Sequence, residues 1–151
     1  MTRQVKWLAV HCSATKAGVD ITEADIDRMH KANGWSGTGY HFVIRLDGDI
    51  QLGRPLDEDH ILEPNEVGAH VAGYNSESVG ICLIGGLDKN GKAANTFTAN
   101  QWRSLDLVLR GLRGRWPNAA IRGHRDFPNV KKDCPCFDVR TWCRSVGIDP
   151  K

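Results

Sequence analysis

A nearly continuous apolar segment, residues 79–84, constrains the fold of this chain more than any other feature. A run without polar alternation is typical of a strand that other layers cover on both faces. Gly85 and Gly86 follow the run and mark its end. We therefore expect a central strand in a sheet that carries packed elements on both sides.

Two further strands are indicated near the ends of the chain. Residues 5–11 are mostly apolar and end at His11, and the short apolar segment 119–122 is followed by Gly123 and His124. The ends of strands are where α/β folds place chemistry. Both histidines are therefore candidates for a functional site.

A hairpin is predicted between these regions. Residues 40–46 form its first strand, Asp47-Gly48-Asp49 is a tight turn, and Ile50 and Leu52 continue the return strand. Because side chains alternate along a strand, we expect Phe42 to share the face of Tyr40 and His41 to point to the other face.

Three positions carry signals for the start of a helix. Thr22 is a hydroxyl N-cap that acids follow, Thr98 and Gln101 form a capping box, and Asp138 precedes the last apolar segment. The first helix places Ile26, Met29 and His30 on one face, and the second ends near Arg115. The mixture of strands and helices predicts an α/β or α+β fold. The periodicity of the sequence does not determine the order of the strands in the sheet.

Length and charge exclude several classes. The 151 residues fit one domain, 1–151, and the net charge of +2 is too small to indicate nucleic-acid binding by itself. We find no secretory leader and no apolar run approaching the 18 or so residues of a membrane span. We therefore expect synthesis in a reducing cytoplasm, where the five cysteines are more often free or metal-bound than paired.

A metal site is one interpretation of His11, His124 and Cys134. Each alone is more often an ordinary structural residue, but all three lie at strand ends or in loops. The paired short-spaced cysteines of a structural zinc site are absent from the sequence, whereas a catalytic zinc needs only three protein ligands. Cys136 lies two residues from Cys134 and is a rival thiolate.

Four blocks of sequence resemble the N-acetylmuramoyl-L-alanine amidases of the phage-lysozyme type, which are relatives of the peptidoglycan recognition proteins. The blocks are residues 11–15 (HCSAT), 39–42 (GYHF), 80–86 (GICLIGG) and 132–138 (KDCPCFD). The resemblance extends from about residue 5 to residue 142. It implies a central mixed β-sheet flanked by helices, with a zinc ion in a surface groove.

The resemblance also implies roles for individual residues. His11, His124 and Cys134 match the ligands of one Zn²⁺ ion, and Tyr40 and Lys132 match the two further residues needed for cleavage. The substrate implied is the amide bond between N-acetylmuramic acid and L-alanine in peptidoglycan. Lys132 would meet negative charge on the carbonyl oxygen. Whether Tyr40 carries a proton or positions water stays open, as does the general base.

Other functions and partners remain as alternatives. A non-cutting peptidoglycan-binding module would lack the cysteine ligand, which is present as Cys134. A regulator that binds phage RNA polymerase, besides or instead of cutting, is not established by any residue. We expect a monomer that binds neither membrane nor nucleic acid and that reaches the host wall from the cytoplasm through holin-type lesions.

Several side chains outside these motifs are candidates for a substrate groove. His70 lies among small residues in a loop, and Trp35 and Tyr74 are loop aromatics that could stack on a sugar. Simple packing is the alternative for all three. His41 is expected to be buried and hydrogen-bonded.

Overall fold

A computed structural model describes residues 4–35, 37–56, 62 and 64–151. Its strands are β1 (Trp7–Cys12), β2 (Thr15–Lys16), β3 (Phe42–Ile44), β4 (Ile50–Leu52), β5 (Ser78–Leu83), β6 (Gly86–Leu87) and β7 (Ala120–Gly123). Its α-helices are α1 (Glu23–Ala32), α2 (Ala99–Arg115) and α3 (Val139–Ser145). Short 3₁₀ turns cover Pro64–Glu66, Asn75–Glu77 and His124–Asp126.

Five strands form the central sheet in the order β4-β3-β5-β1-β7. β5 pairs in parallel with β1 and β3, β1 pairs in parallel with β7, and β3 pairs antiparallel with β4. β2 and β6 form a separate parallel pair. The sheet is therefore mixed and lies between helices, which confirms the expected α/β class. β5, the predicted central strand, is buried at all of its positions.

One face of the sheet packs against α2 and α3 around a large apolar cluster. Leu8 and Ile81 of the sheet meet Leu105 and Leu109 of α2 in this cluster. The capping box predicted at the start of α2 is present: Thr98 Oγ1 accepts from the Gln101 backbone N–H at 3.1 Å. The Gln101 side chain in turn accepts from the Thr98 N–H at 2.9 Å.

The other face carries α1 and the polar side chains of the site. Ile26 of α1 packs against Val43, Cys82 and Ile84. Met29, expected on the same helix face as Ile26, is 47% exposed. The helix therefore buries a narrower face than its sequence suggests. Within the described ranges, no helix is both long enough and apolar enough to span a bilayer.

The hairpin differs from its prediction at its first strand. β3 begins at Phe42, and Tyr40 lies before it next to a bend at His41. Tyr40 packs against the cluster that contains Val43, whereas Phe42 joins the cluster on the opposite face. The expectation that Tyr40 and Phe42 share a face is therefore wrong, because the bend interrupts the alternation of the strand.

Candidate metal centre and its groove

Parallel pairing of β1 with β7 brings two histidines to the same edge of the sheet. Val10 lies opposite Gly123 in this register, so the residues that follow them, His11 and His124, are neighbours. Their ring centroids are 4.6 Å apart. His11 is buried, and His124 is half-buried in the 3₁₀ turn after β7.

Cys134 completes the cluster from the loop after this turn. Its carbonyl oxygen accepts from the Arg125 N–H at 2.8 Å, which holds the loop against the turn that contains His124. Its sulfur accepts from the Cys12 backbone N–H at 3.2 Å. One ligand atom each from His11, His124 and Cys134 lie within 4.8 Å of one another. The structure thus brings together the three residues that the sequence analysis selected as ligands.

The donor set suits zinc. Zn–N bonds of about 2.0 Å and a Zn–S bond of about 2.3 Å would put the three tetrahedral ligand atoms roughly 3.3–3.5 Å apart, so a small closure of the cluster would suffice. Two imidazoles and one thiolate leave the fourth position open, as in catalytic rather than structural sites.

Burial keeps the imidazoles neutral, as metal ligands must be. It lowers the pKa of His11 well below its ordinary value, and the neighbouring His70, His124 and Lys132 lower it further. The pKa of His124 is also lowered, by burial first and by the charge of Lys132 second. Both side chains therefore offer a free nitrogen lone pair at neutral pH.

A buried hydrogen-bond chain extends from His11 away from the cluster. His11 Nε2 lies 2.9 Å from His70 Nδ1, and His70 Nε2 lies 3.2 Å from the hydroxyl of Ser78. That hydroxyl donates its single hydrogen to the Tyr74 carbonyl oxygen at 2.9 Å. His70 Nε2 must then donate to Ser78, and His70 Nδ1 must accept from His11 Nε2–H. Because His11 Nε2 carries the hydrogen in this series of hydrogen bonds, His11 Nδ1 is the nitrogen with a free lone pair.

The sequence did not predict this series of hydrogen bonds. From sequence, His70 was a candidate only for lining the groove, and Ser78 was not a candidate site residue. A packing signal was available, since a Cβ on Gly80 would lie 2.8 Å from the His70 ring. Only glycine at position 80 lets that ring lie against β5. His41 is buried as expected. Its Nδ1 accepts from the Gly80 N–H at 3.0 Å, and its Nε2 donates to the Glu66 carbonyl oxygen at 2.5 Å.

Tyr40 lies beside the cluster. Its ring centroid is 5.1 Å from that of His11. Burial raises the pKa of the Tyr40 hydroxyl well above its ordinary value, and the nearby cysteines Cys82, Cys134 and Cys12 raise it further. Tyr40 therefore keeps its proton at neutral pH and can act there as a hydrogen-bond donor, not as a base.

Lys132 is exposed on the wall of a groove of about 1000 Å³ that reaches the cluster at His124. His70, His124, Trp35 and Tyr74 also line this groove, as the sequence analysis proposed for three of them. Trp35 is 43% exposed and presents an aromatic surface to solvent. The groove thus combines a cation, exposed aromatic surface and a candidate metal site.

Cys136 lies outside the three-residue cluster. Its sulfur donates to the Gly86 carbonyl oxygen at 3.3 Å and lies 4.0 Å from the sulfur of Cys12. Burial raises the pKa of the Cys136 thiol to about 11. Of the two closely spaced cysteines, Cys134 is the one that the structure places with the histidines.

Comparison with known proteins places the chain in a family. The family model for N-acetylmuramoyl-L-alanine amidase matches residues 1–137. The endolysin of Enterobacteria phage K11 is 46% identical over 136 residues, which cover 90% of this chain and 83% of that protein. The endolysin of Escherichia phage T7 is 39% identical over 133 residues, covering 88% and 82%.

A solved structure shows the same fold. The endolysin N-acetylmuramoyl-L-alanine amidase LysCS from Clostridium intestinale superposes with a TM-score of 0.76 at 28% identity, over 97% of this chain and 86% of that one. The family inferred from the four sequence blocks is confirmed by the family model, by the relatives and by this fold. The chain therefore belongs to the N-acetylmuramoyl-L-alanine amidase family.

Proposed function

We propose that the chain lyses bacterial walls as a phage endolysin, by cutting the amide bond between N-acetylmuramic acid and L-alanine. As a member of its family it is an N-acetylmuramoyl-L-alanine amidase, and peptidoglycan is its substrate. The observation that carries the proposal is the meeting of His11, His124 and Cys134 beside a groove that His124 and Lys132 line. The proposal includes a single amidase domain over residues 1–151.

The proposed cofactor is one Zn²⁺ ion held by His11, His124 and Cys134. Bound zinc would supply Lewis-acid activation of water and of the amide carbonyl. The chain's own contribution is to keep both imidazoles neutral by burial and to direct the Cys12 N–H at the ligand sulfur. The hydrogen-bond chain through His70 holds the His11 ring in one tautomer.

Lys132 and Tyr40 would act on the reacting amide. Hydrolysis adds water to the carbonyl carbon, breaks its bond to the L-alanine nitrogen and delivers a proton to that nitrogen. Negative charge builds on the carbonyl oxygen in the transition state, where the ammonium of Lys132 would stabilise it. Tyr40 would hold the water or that oxygen by donating a hydrogen bond, since its raised pKa keeps the hydroxyl protonated.

The groove is suited to a glycan that carries peptides. Trp35 and Tyr74 lie along it, and aromatic faces pack well against the apolar faces of sugars. Lys131 and Lys132 add positive charge, which favours the carboxylates of stem peptides. The groove can thus accommodate both the sugar and the peptide side of the scissile bond.

Mass spectrometry of digested peptidoglycan tests the activity. We expect free stem peptides and glycan strands of unchanged length. New reducing sugar ends would instead show a glycosidase. A protein that retains peptidoglycan on a column but releases nothing would be the non-cutting binding module.

Metal removal tests the cofactor separately. Chelation should abolish the release of stem peptides, and added Zn²⁺ should restore it, whereas added Mg²⁺ serves as the matched control and should not. Full activity after complete metal removal would rule out the metal-dependent reaction.

The route to the wall is also part of the proposal. Phage endolysins are among the relatives of this chain, which suits synthesis in the host cytoplasm followed by release through holin-type lesions. Cells that express the chain alone should stay intact and should lyse when the inner membrane is permeabilised. Binding of RNA polymerase and the monomeric state stay predictions, which co-purification and light scattering would test.

A further inference from the structure

Two cysteines that the proposed reaction does not use lie side by side next to the candidate metal centre. The sulfurs of Cys12 and Cys136 are 4.0 Å apart, although the residues are separated by 124 positions in the chain. A disulfide has a sulfur–sulfur distance of about 2.05 Å, so the two atoms need to approach by roughly 2 Å. Small rotations about the side-chain bonds are a direct way to close that gap.

The backbone around both sulfurs is held firmly. Cys12 is the last residue of β1 and is paired with Leu83 of the central strand. The N–H of Cys136 donates to the Asp133 carbonyl oxygen at 2.7 Å, which fixes the turn that presents its side chain. The backbone of both cysteines is therefore fixed by hydrogen bonds in positions that already make their sulfurs neighbours.

Gly86 provides the space in which the sulfurs meet. A Cβ at this position would lie 2.7 Å from the Cys12 sulfur and 3.6 Å from the Cys136 sulfur. The residue also has a φ of +102°, a backbone conformation that favours glycine. The space that holds the two sulfurs is thus bounded by the backbone of Gly86, which approaches both of them closely.

We propose that Cys12 and Cys136 are a disulfide site, reduced in the cytoplasm and oxidised when the protein reaches an oxidising compartment. The bond would tie β1, which carries His11, to the loop that carries Cys134. The bond itself does not depend on amidase activity. Only the place where it forms depends on the proposed route to the wall, because disulfides persist outside the reducing cytoplasm.

A small disulfide such as oxidised glutathione is a sufficient oxidant. Cys136 is the more exposed of the pair, so its sulfur attacks one sulfur of the reagent. It gives up its proton to solvent, forms a mixed disulfide and releases one glutathione thiolate. The sulfur of Cys12 then attacks that of Cys136 and releases the second. The protein loses two protons and two electrons, and the reagent becomes two thiols.

Cys134 is the competing partner, because the Cys12 backbone already contacts its sulfur. A bond between Cys12 and Cys134 would consume a candidate metal ligand, whereas a bond between Cys12 and Cys136 would spare it. Bound zinc would protect the Cys134 sulfur, so oxidation of the zinc-loaded protein should be directed to Cys136.

Thiol counting and peptide mapping test the site. The full-length zinc-loaded protein is incubated with reduced or oxidised glutathione, the remaining thiols are alkylated after denaturation, and the protein is digested with trypsin. The reduced sample should carry alkyl groups on all five cysteines, and the oxidised sample should carry two fewer. The oxidised digest should link peptide 7–16 to peptide 133–140 through a bond that dithiothreitol breaks.

Fragmentation must separate the two cysteines of the second peptide, since Cys134 and Cys136 both lie within it. Fragments that carry the link on Cys136 and alkylation on Cys134 support the proposal. Cys136→Ser should show no link and no change in thiol count on oxidation. Cys143→Ala, which removes a buried cysteine elsewhere, is the matched control and should still form the link.

Two results would overturn the proposal. One is five alkylated cysteines after incubation in glutathione buffers that oxidise the thiols of ordinary structural cysteine pairs to disulfides. The other is a link on Cys134 accompanied by loss of zinc in metal analysis. Neither result depends on peptidoglycan cleavage, so failure of this site and failure of the amidase proposal are separate outcomes.

Discussion

His11 Nε2 lies 2.9 Å from His70 Nδ1, and both rings are buried. Because Ser78 has only one hydrogen to donate and gives it to the Tyr74 carbonyl, the hydrogens along this chain can point in only one direction. His11 is thereby held as the tautomer that presents Nδ1. Ligand histidines in metal sites are commonly oriented by such a partner.

Removing His70, the hydrogen-bond partner of His11, should weaken zinc binding. For His70→Ala we expect an affinity for Zn²⁺ lower by about 10–100-fold, the usual effect of losing an outer hydrogen-bond partner. Competition with a chromophoric chelator measures this without any assay of catalysis. His70→Gln keeps an acceptor near His11 and should recover part of the loss. Equal zinc affinity in wild type and His70→Ala would show that the contact does not orient the ligand.

The two neighbouring cysteines should behave differently. Cys134→Ser should lose both zinc and peptidoglycan cleavage, because a hydroxyl replaces the thiolate of the ligand set. Cys136→Ser should retain both, since its sulfur bonds to the Gly86 carbonyl and lies outside the cluster. Metal analysis and stem-peptide release are the two measurements. The reverse pattern would identify Cys136 as the ligand.

Lys132 should affect turnover more than metal binding. Lys132→Ala is expected to keep zinc and fold but to lose about 10²–10³-fold in kcat, as on losing one donor to a developing oxyanion. Lys131→Ala is the matched control, because Lys131 lines the same groove and has the same charge. Steady-state kinetics on soluble peptidoglycan fragments decides the matter, and equal losses for both variants would indicate only a general charge effect.

The metal-free protein should lose stability in mild acid. Burial lowers the pKa of His41 to about 4 from an ordinary 6.5, so the unfolded chain binds more protons than the folded chain between these values. The contribution of His41 is fully present above about pH 6.5 and is lost as the pH falls towards 4. At 1.36 kcal/mol per pKa unit it amounts to about 3 kcal/mol.

Urea unfolding at several pH values measures this effect. The free energy of unfolding of the metal-free wild type should fall between pH 7 and pH 4.5. His41→Asn removes the titrating group, and its stability should depend less on pH over the same range, whatever its stability at pH 7. Parallel curves for the two proteins would assign the acid sensitivity to other groups.

Local hydrogen bonding and hydrophobic runs explain what was predictable from sequence. The start of α2 follows from Thr98 and Gln101, which bond to each other's backbone over three residues. The central position of β5 follows from its unbroken apolar run. The proximity of His11, His124 and Cys134 agrees with the resemblance, and the roles of the site residues stay predictions. The face of Tyr40 was predicted wrongly, because a bend at His41 is invisible to a rule of alternation.

Contacts between distant segments explain what was not predictable. His11 and His70 are 59 positions apart, and Cys12 and Cys136 are 124 apart. No periodicity in the chain connects them, and the strand order that brings them together was open. Gly80 and Gly86 lie at these contacts because a Cβ there would collide with His70 or Cys12. That reason for glycine is visible in the structure and not in the sequence.

The parallel pairing of β1 with β7 has a consequence for the nascent chain during translation. His11 leaves the ribosome early, but its neighbours His124 and Cys134 are supplied by segments made more than a hundred residues later. An incomplete chain therefore holds one candidate ligand and no metal centre. The proposed metal centre, and any lytic activity that depends on it, would form only after Cys134 has been synthesised and β7 has paired with β1.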